Sequence, residues 1–107
     1  MSLEKFRYTL PLLDEESTMK TVHARIKGRV QGVFSRDYTR RKAEKLSLKG
    51  WVRNEPDGTV GAVFQGSESD IEKMIEWLDE GSPQANVTGV QVQECYDGHR
   101  YKDFRVH

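Results

Sequence analysis

The chain has 107 residues, with 17 basic side chains against 17 acidic ones and one cysteine. That length fits a single folded unit, and no apolar run reaches the roughly 18 residues of a membrane span. A lone Cys95 cannot close an internal disulfide and points to a reducing compartment, the cytoplasm, while zero net charge gives the whole molecule no long-range pull on nucleic acid.

Residues 1–19 show no clean period, and Pro11 interrupts Leu10, Leu12 and Leu13. No basic region precedes a long apolar stretch there, so no secretory leader is expected. The segment reads as an N-terminal extension, mobile or docked by its leucines, with Met19 as an alternative start. The organised part, 20–107, opens with a half-buried strand over 20–27, in which Val22, Ala24 and Ile26 face one way and His23, Arg25 and Lys27 the other. A glycine-bounded loop from Gly28 follows. Ser35 can cap a helix over 36–46, whose stripe is Thr39, Ala43 and Leu46. Leu48 to Asn54 and Thr59 to Gln65 form two strands joined by the Asp57-Gly58 turn. Ser67 and Asp70 form a capping box of sorts ahead of a second helix with Ile71, Met74, Ile75 and Leu78 on one face. Gly81 and Pro83 stop it. Val87 to Gln93 and a short Tyr101 to Val106 complete the strands.

The order β-α-β-β-α-β plus a terminal strand describes an α+β, ferredoxin-like split β-α-β sandwich. The expectation is one antiparallel sheet carrying two helices on one face, an architecture that hosts many activities. Charge is uneven along it. Between Arg25 and Arg53 only Asp37 and Glu44 oppose 10 basic residues, and from Glu55 to Ser82 only Lys73 opposes 8 acidic ones. Such runs are usually solvated faces; a basic one also draws small anions toward itself.

The stretch Gly28 to Arg36 is the chemical focus. A strand, a glycine-bounded loop and a helix start in succession make a concavity of main-chain N–H groups suited to an anion. Arg36 sits in the first helical turn, where a cation opposes the helix dipole. An anion held between the two resolves that conflict, and a guanidinium fits a phosphate bidentately; a solvent-facing arginine on an ordinary turn is the plain reading. The loop lacks the Walker A pattern, and Val30 stands where a C-x5-R thiol phosphatase would carry its nucleophile. His23, His99 and His107 are scattered, no spacing suits a metal, and Cys95 reads as a packing residue or bystander. Asn54, before the turn, is either a turn former or an amide able to hold water beside a phosphoryl group.

Gly28-Arg29-Val30-Gln31-Gly32-Val33-Phe34-Ser35-Arg36 closely resembles the first signature of the acylphosphatase family. Gly50-Trp51-Val52-Arg53-Asn54, with Asp57-Gly58-Thr59-Val60, is similar to the second, and Gln65-Gly66 and Gly81-Ser82-Pro83 also fit the pattern. The resemblance covers residues 20–107. It implies the split sandwich and the hydrolysis of acyl phosphates to a carboxylate and inorganic phosphate, without metal or cofactor. It implies that Arg36 binds the phosphoryl group and Asn54 positions the attacking water. The main-chain amides of Arg29, Val30, Gln31, Gly32 and Val33 would form the cradle, and Thr59 would support the Asn54 side chain. Two residues depart from the pattern: Ser35 where an aromatic is usual, and Ser47 where glycine is common. A serine in a left-handed conformation there would cost about 1 kcal/mol. The expected partners are the acyl phosphate and phosphate, with no nucleic acid or membrane, acting on a monomer. The competing reading is a non-catalytic anion- or RNA-binding sandwich, which would stack bases on sheet aromatics that the row His23, Arg25, Lys27 lacks.

Overall fold

A computed structural model of the protein describes residues 19–32, 35–96 and 98–107. The body of the extension, 1–18, and the loop residues Val33 and Phe34 lie outside the described residues. The elements are β1 (Met19–Arg29), α1 (Ser35–Lys45), β2 (Lys49–Asn54), β3 (Val60–Ser67), α2 (Glu68–Glu80), β4 (Asn86–Glu94) and β5 (Phe104–Val106). Met19 belongs to β1 rather than to the extension, because it still has a ladder partner, Ser67, on β3.

Among the described residues five strands form one sheet in the order β4-β1-β3-β2-β5. β1 pairs antiparallel with β3 and β4, and β2 pairs antiparallel with β3. The sheet is not wholly antiparallel as expected, since β5 runs parallel to β2. β4 occupies one edge and β5 the other, and the chain reverses direction once between them, so β5 takes the direction of β2. Gln65 pins the described part of that crossing. Its Nε2 donates to the His99 carbonyl at 2.7 Å and to Thr21 Oγ1 at 2.8 Å, while its Oε1 accepts from the Tyr101 amide at 3.0 Å.

The period-2 rows of β1 and β3 meet the helical stripes in one core. Val22, Ala24, Ile26, Val60, Ala62 and Phe64 pack with Ala43 of α1 and Ile71, Met74 and Leu78 of α2. Burying a side chain the size of Leu48, Phe64 or Met74 stabilises the fold by roughly 1.5–3 kcal/mol. Phe64 also stacks on Phe104, with ring centroids 5.6 Å apart, and so ties β5 to the core. Ser67 caps α2 as expected, its hydroxyl accepting from the Asp70 amide at 3.2 Å. That hydroxyl also donates to the Asp70 carboxylate at 2.9 Å.

Candidate active site

The end of β1 is turned toward the helix by a register shift between Lys27 and Gly28. Gly28 has φ +119°, and a Cβ there would lie 2.1 Å from the Asn86 carbonyl oxygen. Only glycine allows that close approach at such a φ. The loop that follows is fastened at two points. The Val30 side chain is buried in the core, and Gln31 Nε2 donates to the main-chain carbonyls of Glu55 and Thr59, each at 2.8 Å. Gly32, at φ +76°, presents its backbone without a side chain. Ser35 opens α1 and is buried, with its Oγ 3.5 Å from Ser82 Oγ.

Arg36 and Asn54 line the same open cavity of about 490 Å³, with Gly32, Ser35, Asp37, Arg40 and Val106 completing its wall. α1 supplies the arginine and the last residue of β2 supplies the asparagine. Parallel β5 supplies Val106, because its register sets Val106 opposite Val52. One Nη of Arg36 donates to the main-chain oxygen of His107 at 3.0 Å, which holds the guanidinium at the cavity wall. The Asn54 side chain has no hydrogen-bond partner among the described residues, so its amide can engage a solvent or substrate atom.

A carboxylate also lies in the wall. Asp37 accepts from Arg40 at 2.9 Å and pairs with Arg41 at 2.9 Å, and Arg40 also bonds Glu44 at 3.0 Å. The hydrogen bond from Arg40, assisted by the charges of Arg41 and Arg40, holds the Asp37 carboxyl below the usual carboxylate range against some desolvation. Its negative charge is therefore matched along the helix, and Arg36 faces the cavity with little local opposition.

The structure gathers the sequence-predicted residues unequally. Among the described loop residues Gly32 alone lines the cavity. Arg29 stays in the β1–β4 ladder opposite Asn86; the side chains of Val30 and Gln31 point to the core and to the hairpin turn; Val33 lies outside the described residues. Thr59 does not support the Asn54 side chain. Its hydroxyl donates to Asp57 Oδ1 at 2.7 Å and its amide to the same oxygen at 3.0 Å, while Arg25 reaches Asp57 Oδ2 at 3.0 Å. Thr59 thus shapes the turn after Asn54, because an aspartate two residues back offers the nearer acceptor. Sequence reasoning missed Asp37, Arg40, Val106 and His107. The first two carry a signal in the i, i+3 spacing that sets them on one helix face; the last two depend on the direction of β5, which no local pattern encodes. Among the described residues no group of three or more His, Cys, Asp or Glu side chains could hold a metal, and no helix is long and apolar enough to cross a membrane.

The open face of the sheet is richer in rings than the β1 row suggests. Trp51 of β2 sits between His23 and His107, with centroids 6.1 Å from each. Arg53 covers it, its guanidinium 4.7 Å from the ring centroid and its Nε bonded to Glu55 at 3.0 Å.

Comparison with known proteins matches the sequence profile of the acylphosphatase family to residues 22–106. A protein named Acylphosphatase from Rubrobacter xylanophilus is 52% identical over 75 residues, which cover 70% of this chain and 68% of that one. Another of that name, from Bordetella parapertussis, is 44% identical over 89 residues, covering 83% and 95%. The solved structure of an acylphosphatase from Coxiella burnetii superposes with a TM-score of 0.83 at 43% identity, covering 87% of this chain and 97% of that one.

Proposed function

The chain belongs to the acylphosphatase family and hydrolyses acyl phosphates, and from that premise we propose which of its residues do the chemistry. Arg36 and the amides around Gly32 grip the phosphoryl group, and Asn54 holds the attacking water. The observation that supports this is the shared cavity: a guanidinium, the bare backbone of Gly32 and an unengaged amide converge on one space. Phosphoryl transfer demands chiefly positioning and neutralisation of spread charge. Water attacks phosphorus, the bond from phosphorus to the acyl oxygen breaks, and the carboxylate leaves without needing a proton. The proton of the water passes to a phosphoryl oxygen, since a neutral amide is a poor base. The products are a carboxylate and dihydrogen phosphate, and charge balances. A carboxylate leaving group needs no general acid or Lewis acid, so turnover is expected to persist in a chelator.

The reading extends to a monomer in the cytoplasm that acts on small acyl phosphates and not on nucleic acid. The lone cysteine favours a reducing compartment. The open-face guanidiniums of Arg25 and Arg53 are matched by Asp57 and Glu55, which leaves less charge for a phosphate backbone.

Two variants test the assignment with benzoyl phosphate as substrate. Arg36→Ala loses both turnover and competitive inhibition by inorganic phosphate. Asn54→Ala loses at least about a hundredfold in kcat while phosphate still inhibits. Equal loss of phosphate inhibition in both variants would refute the water-holding role.

A further inference from the structure

The Gln31 side chain spans two elements that the sheet keeps apart. β1 and β2 are not neighbours, because β3 lies between them. Yet Gln31, just beyond the end of β1, reaches over the end of β3 to the carbonyls of Glu55 and Thr59, at 2.8 Å each. Those carbonyls flank the last ladder pair of the β2–β3 hairpin, Asn54 opposite Val60. On its other side Gln31 is bonded covalently to Gly32, which lines the cavity. One amide nitrogen therefore ties the phosphate loop to the main chain beside the residue proposed to carry the water. Both acceptors are carbonyl oxygens, so the nitrogen of the amide must be the end facing them.

We propose that Gln31 is a positioning residue for hydrolysis, whose side chain holds Asn54 in register with the bound phosphoryl group. The proposal rests on the water-holding role given to Asn54 above. A displacement of about 1 Å at a reacting group can cost on the order of a hundredfold in rate, and no ladder links the loop directly to β2. The loop itself has a separate anchor in Val30, buried in the core. Losing the clamp should release the hairpin end more than the phosphate cradle. Folding should tolerate the loss, because each carbonyl keeps a main-chain donor: Gly58 N to Glu55 O at 3.1 Å, and Glu55 N to Thr59 O at 2.8 Å.

The test is a Gln31→Met substitution, which keeps the length and removes both donors. It is measured alone, with Asn54→Ala, and beside Gln65→Met, which cuts the other glutamine tie far from the cavity. For Gln31→Met, kcat on benzoyl phosphate should fall about ten- to a hundredfold, with the inhibition constant for inorganic phosphate unchanged within about twofold. In the Asn54→Ala background the same substitution should cost less than about twofold, because partners acting as one unit are not additive. Gln65→Met should lower Tm without that pattern of reduced kcat at unchanged phosphate inhibition. An unchanged kcat in Gln31→Met, a matching loss of phosphate inhibition, or a full further loss on top of Asn54→Ala each overturns the proposal. If Asn54→Ala itself keeps wild-type kcat, the water-holding role falls and takes the clamp with it. If Asn54→Ala is crippled and Gln31→Met is not, the clamp alone falls.

Discussion

Ser47 shows how much one residue can reveal. The sequence sets a serine where the family pattern commonly has glycine, and the structure holds it at φ +60°, just after α1, with its amide bonded to the Glu44 carbonyl at 3.0 Å. A side chain in that region costs roughly 1–2 kcal/mol. Glycine would remove the strain but loosen the unfolded chain by about 0.4–1 kcal/mol. Ser47→Gly should therefore stabilise by about 0.5–1 kcal/mol net and raise Tm by roughly 2–8 °C, with unchanged kcat; thermal denaturation checks this. The placements of Ser47, Arg36 and Asn54 are legible because each follows from chain-local facts: a helix end, a first helical turn, a strand end before a turn. Thr59 was not, because its hydroxyl had several acceptors within reach and the folded turn chose Asp57.

Among the elements, the β2–β3 turn has the sharpest electrostatic signature. Bonds from the Thr59 hydroxyl and amide, and then the charge and hydrogen bond of Arg25, hold the Asp57 carboxyl below its usual range. The ionised form is favoured by folding, so its contribution is complete above the ordinary aspartate range near about 3.9. It drains away as pH falls through the lower folded value. Asp57→Asn should unfold at a lower temperature than wild type at neutral pH, and the gap should close in strong acid; Tm measured from pH 7 down to about 2 follows it. Periodicity locates the strands and helices of the described residues because a half-buried element repeats its apolar positions with its own period. It could not give the direction of β5. A run of three residues fits either orientation, and the choice was made by the long crossing that Gln65 pins.

At the scale of the whole molecule, charge counted along the chain overstates the field. Of the 10 basic residues between Arg25 and Arg53, Arg25, Arg40, Arg41 and Arg53 are each matched by a carboxylate in space. The attraction for anions is therefore smaller than the run of basic residues suggests. Phosphate inhibition should weaken severalfold between 0.05 and 0.5 M salt as screening shortens to less than about 10 Å, far short of the loss that Arg36→Ala produces. An inhibition constant that ignores salt would mean that direct contacts alone hold the ligand.

The position of β1 in the sheet carries a kinetic consequence. Its two partners, β3 and β4, lie far along the chain, and β2 waits for β5 in the same way. A nascent or refolding polypeptide must close large loops before any of these ladders rewards it, which slows the search. The cavity wall draws on Gly32, Arg36, Asn54 and Val106, contributed by segments that come together only when the remotest strands have docked. Recovery of hydrolysis after dilution from denaturant would thus lag behind the return of helical signal, and so report the last stage of assembly.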